Sequence, residues 1–227
     1  MKLAIWGSTQ TGKASLTFNF ENYYNLEKIR YKGKVKFEKP KTNSYVIKIL
    51  YDNRLSDNLI SDYLLNLIDK DCKHIFLYRQ NLLSQYLSWQ HNEAIDLNFN
   101  PNILDINECK NFIEYTKTNT SRIYYKIKHL NLFAYSYEEV FHSDKVYNMF
   151  EQLNIGIKKE DIPYLIKPIK HVVENKRKAE QSVFTVNKGI EHFTYKENYD
   201  IIRDMFCEEF MYIDNDTKEV KFLRHET

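Results

Sequence analysis

The sequence predicts an α/β fold with a mostly parallel central sheet and crossover helices. Three observations predict it. Short apolar runs recur along the chain, at KLAIW, SYVIKILY, HIFLY and NLFAYSY. Longer segments with helical spacing separate them, and that alternation argues for parallel strands joined by helices. The first run stops at Gly7 and passes through a glycine-containing turn into a helical segment.

Taken in order, residues 2–6 form a buried strand, because the run is continuously apolar. Residues 15–24 read as a helix. Residues 28–38 alternate around Gly33 and predict a small hairpin or an extended excursion. Residues 44–51 form a second strand, closed by Asp52. Over 56–69, apolar residues at Leu59, Ile60, Tyr63, Leu64 and Leu67 keep helical spacing, with Ser56 as the cap. Residues 74–78 form a third strand ending at Arg79, followed by a helix over 81–94 capped by Asn81. Residues 95–104 read as a loop and 105–129 as a long helix. Residues 131–137 are a fourth strand, and 144–153 a helix. Residues 154–170 are less regular. Residues 195–210 are amphipathic and helical, and Tyr212 to Leu223 predict a hairpin around Asn215-Asp216. Neither an internal repeat nor a low-complexity linker is visible, so 1–227 reads as a single domain.

The chain has 227 residues, long enough to bury a substantial core. A 43% hydrophobic content argues against wholesale disorder. A net charge of +2 gives no general case for nucleic-acid binding. Cys72, Cys109 and Cys207 are far apart and have no metal-ligand spacing, so no metal site is expected and a reducing compartment is the simplest reading. No apolar run approaches the roughly eighteen residues that span a membrane. A cytoplasmic location is expected.

Two segments carry phosphate chemistry. In GSTQTGKASLTF, a strand ends in a glycine-containing turn before a helix, so backbone N–H groups and the helix dipole face an anion. Gly12 permits close backbone approach and Lys13 offers a point charge. A magnesium-dependent nucleotide loop places Ser or Thr after the lysine. Here that position is Ala14, with Ser15 one step later. In HIFLYRQNLLSQYLSW, Arg79 lies at the carboxyl end of a strand, where open α/β sheets collect ligands. Ser84 and Ser88 share a helix face, and a guanidinium fork suits a phosphate.

Together these segments resemble sulfotransferases that use 3'-phosphoadenylyl sulfate, of the bacterial or phage type. Thr11-Gly12-Lys13-Ala14-Ser15-Leu16 is similar to that family's opening loop for the 5'-phosphate and sulfate end. IFLYRQNLLSQYLSW resembles its second motif, with Arg79 and Ser88 as the pair for the 3'-phosphate. LFAYSYEEVFHSDKVYNMFEQLNI and ENYDIIRDMF resemble later family segments. The resemblance implies a nucleotide-hydrolase-like, three-layer α/β/α fold and transfer of a sulfuryl group to a hydroxyl or amine. It implies cofactor contacts at Gln10, Thr11, Gly12, Lys13, Ala14, Ser15, Arg79 and Ser88. It also suggests a basic loop, Lys176-Arg177-Lys178, closing over the cofactor, although a solvated charge run explains these residues as well. Lys13 and Lys48 would act on the leaving phosphate and near the acceptor. Gln10 stands where the family has Lys or Arg, and Lys13 replaces a hydroxyl residue in the same loop.

A general base is needed for the acceptor. Asp52 is the first candidate, with Glu21, His91 and Glu93 behind it. Tyr31, Phe37 and Phe99 lie in segments where an acceptor pocket could be built. The acceptor class is open among sugar hydroxyls, lipid headgroups, small phenols and peptide tyrosines. Two other readings stand beside this one. Asp52 after VIKILY imitates the acidic magnesium ligand of a nucleotide or nucleoside kinase, against which Ala14 and Arg79 argue. Gln10 favours a non-catalytic protein that binds adenosine 3',5'-bisphosphate.

Overall fold

The computed structural model describes residues 1–30, 41–51, 68, 70–96, 104–142, 146–166 and 197–223. Five parallel strands form the central sheet: β1 (Lys2–Gly7), β2 (Glu27–Arg30), β3 (Tyr45–Leu50), β4 (Lys73–Tyr78) and β5 (Leu132–Ser136). Their order is β2-β3-β1-β4-β5, with β1 in the middle. Gly7 lies opposite Leu50 on one side and Leu77 on the other. The α/β class and the parallel sheet expected from sequence are therefore present. Residues 27–30 are extended and pair in parallel with β3, while 31–38 of the segment expected as a hairpin or an extended excursion lie outside the described residues.

The helices are α1 (Lys13–Tyr24), α2 (Leu82–Asp96), α3 (Ile106–Ile127), α4 (Tyr137–His142), α5 (Val146–Gln152), α6 (Ile162–Leu165) and α7 (Tyr199–Phe206). A 3₁₀ turn covers Lys159–Asp161, and two short strands, β6 (Phe210–Asp214) and β7 (Glu219–Leu223), pair near the C terminus. The expected tail hairpin is present. The helix expected over 195–210 ends at Phe206, and Phe210 starts β6. The helix expected over 56–69 lies outside the described residues, apart from Ile68, which is buried. Among the described residues, no helix is long and apolar enough to cross a membrane. No cluster of three potential metal ligands occurs among them either.

The chain divides into two compact units. The first comprises Met1–Tyr78, Asn119–Ile169 and Ile213–Glu219 and holds the whole sheet. Alternation of side chains across a strand sends Leu3, Ile5, Val46, Ile75 and Leu77 to one face. There they join Leu16 and Phe20 of α1, Val140 of α4, Met149 and Phe150 of α5 and Leu165 of α6 in one core. Lys13, Leu16, Thr17 and Phe20 are the buried positions of α1, at the spacing of one helix face. The opposite sheet face carries Trp6, His74, Phe76 and Tyr78. Here Phe76 meets Tyr124 of α3 edge-on at 5.3 Å between centroids. Each fully buried large apolar side chain contributes about 1.5–3 kcal/mol, so these two layers dominate the stability of the unit.

Trp6 Nε1 donates to His74 Nδ1 at 3.0 Å, inside the second layer. Burial first, and the neighbouring His129 second, push the His74 pKa down to about 4. Among the described residues, edge strand β5 is met by side chains. Asn215 Oδ1 accepts from Ala134 N–H and its Nδ2 donates to Ala134 O, both at 2.8 Å. Lys218 Nζ donates to Leu132 O at 3.1 Å.

The second unit comprises Arg79–Thr118, Lys170–Tyr212 and Val220–Thr227. Asn81 caps α2 as expected, its Oδ1 accepting from Ser84 N–H at 2.8 Å. Tyr86, Trp89 and Phe112 form an aromatic cluster between α2 and α3. Leu82 N–H donates to Glu209 O, and Lys117 pairs with the Glu209 carboxylate at 2.7 Å. All three cysteines are free thiols.

Candidate functional site

The loop from Ser8 to Gly12 joins β1 to α1 at the carboxyl end of the central strand. Its shape follows from two left-handed residues. Gln10 has φ 60° and Gly12 has φ 74° with ψ 1°. Gly12 occupies the helix cap, so no side chain caps α1. Leu16 N–H makes the first intrahelical bond, to Gly12 O at 3.1 Å. The N–H groups of Lys13, Ala14 and Ser15 precede it, and no acidic residue lies in the first turn. A helix N terminus arranged this way favours an anion.

The loop is held from inside. Thr11 is fully buried, and its Oγ1 donates to Ser8 O at 3.0 Å. Thr17 Oγ1 donates back to Lys13 O at 2.8 Å. Lys13 is buried, and its stem folds over Gly7. A Cβ at Gly7 would stand 3.1 Å from Lys13 Cβ and 2.5 Å from Thr11 Oγ1. Gly12 is crowded from the other side. A Cβ there would lie 2.3 Å from Phe141 Cε2 and 2.9 Å from Tyr137 Cδ2. Those two rings belong to α4 and pack on each other at 4.8 Å.

Helix α4 was absent from the sequence expectation, which ran the fourth strand through Tyr137. Its start is a reciprocal capping box. Ser136 N–H donates to Glu139 Oε2 at 2.8 Å and Glu139 N–H donates to Ser136 Oγ at 3.1 Å. The Ser-x-x-Glu spacing at 136–139 is the signal that finds it.

Tyr51 closes the strand expected over 44–51. It directly follows β3 and is fully buried. Its N–H donates to Gly7 O at 3.2 Å and its hydroxyl to Leu77 O at 3.0 Å. The same hydroxyl is hydrogen bonded to Ser8 and to the Thr120 side chain, while burial raises its pKa. Asp52, the residue after it, lies outside the described residues, as do Lys176, Arg177, Lys178, Tyr31, Phe37 and Phe99.

The chain is similar to a solved mouse sulfotransferase, SULT7A1, complexed with PAP. The two are 14% identical over 90% of this chain and 88% of that one, with a TM-score of 0.47. No family model and no curated protein matches the chain.

Lys48 lies on β3 in register with Ile5 and is half-buried. Arg79 follows the last residue of β4 and is buried, only 5% exposed. Ser88 is half-buried on α2, and Ser84, one turn earlier, is buried. Glu21, a candidate base on α1, is paired with Lys28 of β2. Nothing is described of the side chains of His91 and Glu93.

Proposed function

We propose that the Ser8–Ser15 loop binds the 5'-phosphate of an adenosine 3',5'-bisphosphate group and that the protein is a sulfotransferase using 3'-phosphoadenylyl sulfate. The observation that supports this most is the conformation of the N terminus of α1. Gly12 is in the left-handed conformation, no side-chain cap or acidic residue occupies the first turn, and the Lys13 stem lies over Gly7. Ala14 supplies no hydroxyl for magnesium, so the charge of the ligand falls to backbone N–H groups and Lys13. The resemblance of IFLYRQNLLSQYLSW to the family's 3'-phosphate motif adds Arg79 as a bidentate donor and Ser88 as a hydroxyl donor.

When bound, 3'-phosphoadenylyl sulfate supplies the sulfuryl group, which goes to an acceptor oxygen as the acceptor proton leaves. Lys13 and the loop N–H groups would stabilise charge on the departing phosphate. Lys48 is proposed to act near the acceptor, Asp52 to take the acceptor proton, and Lys176-Arg177-Lys178 to close over the nucleotide. Gln10 supports a second reading, a protein that binds the bisphosphate without transferring the group, because an uncharged amide replaces the cation expected there.

A thermal-shift screen separates these readings. Adenosine 3',5'-bisphosphate should raise the melting midpoint without magnesium, and Arg79→Ala should remove most of that shift. Stabilisation by ATP that requires magnesium, with no response to the bisphosphate, overturns the assignment in favour of a kinase. Binding without sulfated product from any hydroxyl acceptor selects the non-catalytic reading.

A further inference from the structure

Tyr51 is placed where three elements meet the loop, and its hydroxyl has more partners than packing requires. The ring stacks on Phe76 of β4 with 5.0 Å between centroids and 5° between planes. The backbone N–H holds Gly7 O, the last carbonyl of β1. The hydroxyl proton goes to Leu77 O on β4. A phenol has one proton to give and two lone pairs. The same hydroxyl is also hydrogen bonded to Ser8 and to the Thr120 side chain. Ser8 O in turn accepts from Thr11 Oγ1. Ser8 is thus held both by Tyr51, the residue after β3, and by the loop itself.

We propose that Tyr51 is a positioning residue for the phosphate loop, with Thr120 of α3 as its support. This rests on the reading of the loop as a phosphate site. The hydroxyl sets the point at which the chain leaves β1, and through Ser8 and Thr11 it orients the N–H groups that follow. Ordering these groups before the ligand arrives removes a cost that a loose loop would carry at binding. The ring alone suffices for the Phe76 stack, so the phenolic oxygen is the part that serves the loop.

The experiment measures binding of adenosine 3',5'-bisphosphate, adenosine 5'-monophosphate and adenosine 3'-monophosphate to the full chain. The wild-type protein is compared with Tyr51→Phe. The variant should bind the bisphosphate and the 5'-monophosphate about tenfold more weakly, and the 3'-monophosphate as before. Thr120→Val should show the same pattern to a smaller degree, and Thr120→Ser should restore wild-type affinity. Unchanged binding of both 5'-phosphate ligands by Tyr51→Phe overturns the proposal. So does an equal loss for both monophosphates, which marks general softening. If Tyr51→Phe does not fold, the Thr120→Val and Thr120→Ser pair decides by the same criteria. If the wild-type protein binds neither 5'-phosphate ligand, the phosphate reading of the loop falls and takes the role of Tyr51 with it.

Discussion

Gly12 carries two constraints that a side chain would break separately. Its φ of 74° is a left-handed conformation that L residues adopt at a cost, and a Cβ added there would clash with Phe141 and Tyr137. Gly12→Ala should destabilise the protein by about 2–4 kcal/mol, read as a lower urea midpoint. It should also weaken bisphosphate binding, because α4 and the loop must separate. The partner substitution Phe141→Ala would relieve the closest of the two clashes and leave the Tyr137 contact and the conformational part, so the double variant should recover some of the lost stability.

His74 makes a second prediction at this scale. Its folded pKa of about 4 lies below the ordinary value of 6.5 because the imidazole is buried beside Trp6 and near His129. The neutral form is therefore the native one. Its contribution is complete above pH 6.5 and is lost as pH falls through 4. The window carries roughly 3 kcal/mol, at about 1.4 kcal/mol per pH unit. Urea midpoints measured from pH 7 to pH 4 should fall along this course. His74→Gln retains an acceptor for Trp6 Nε1 and should flatten the dependence.

At the scale of elements, the cap of α2 is the clearest test. Asn81 closes the first turn through Ser84 N–H, so Asn81→Ala should cost about 1 kcal/mol, and Asn81→Asp should cost much less. Arg79 lies two residues before this cap, so the same variant should weaken bisphosphate binding if α2 positions the 3'-phosphate donors. The cap was legible in the sequence because Asn before an apolar helical pattern has one strong meaning. Strands β1, β3, β4 and β5 were legible to within about a residue, since each is an apolar run closed by a polar residue or a turn. Other elements depended on partners that the local pattern does not name. The start of the alternating 28–38 segment pairs in parallel with β3, a partner that alternation alone does not name. Tyr137 continued an aromatic run and was read as strand, although the Ser136–Glu139 capping box turns the chain into α4. In the site, the Thr11–Ser15 loop stood out because glycine and lysine after a strand have few other uses. Tyr51 did not, because a terminal aromatic in a strand looks like core and only the fold brings Ser8 and Leu77 to its hydroxyl.

For the molecule as a whole, a ligand that binds only the native state stabilises it by mass action. At one hundred times its dissociation constant, adenosine 3',5'-bisphosphate should add about 2.7 kcal/mol. That corresponds to a midpoint shift of about 5–10 °C for a chain of this size. The shift should persist in EDTA, because Ala14 offers magnesium no ligand. A kinase-like site would lose most of it.

The amide of Asn215 has a consequence beyond the folded monomer. Its carbonyl and amino groups take the two backbone positions on Ala134 that another chain's strand would use, and Lys218 places a charge on the same border. An exposed row of strand donors and acceptors templates association between molecules. Asn215→Ala would open that row while leaving the sheet interior intact. Its effect should appear less in the midpoint of unfolding than in light scattering, as concentration-dependent growth of soluble aggregates that Asn215→Gln does not fully suppress. On this prediction, one side chain at the border of the sheet would keep separate copies of the protein apart.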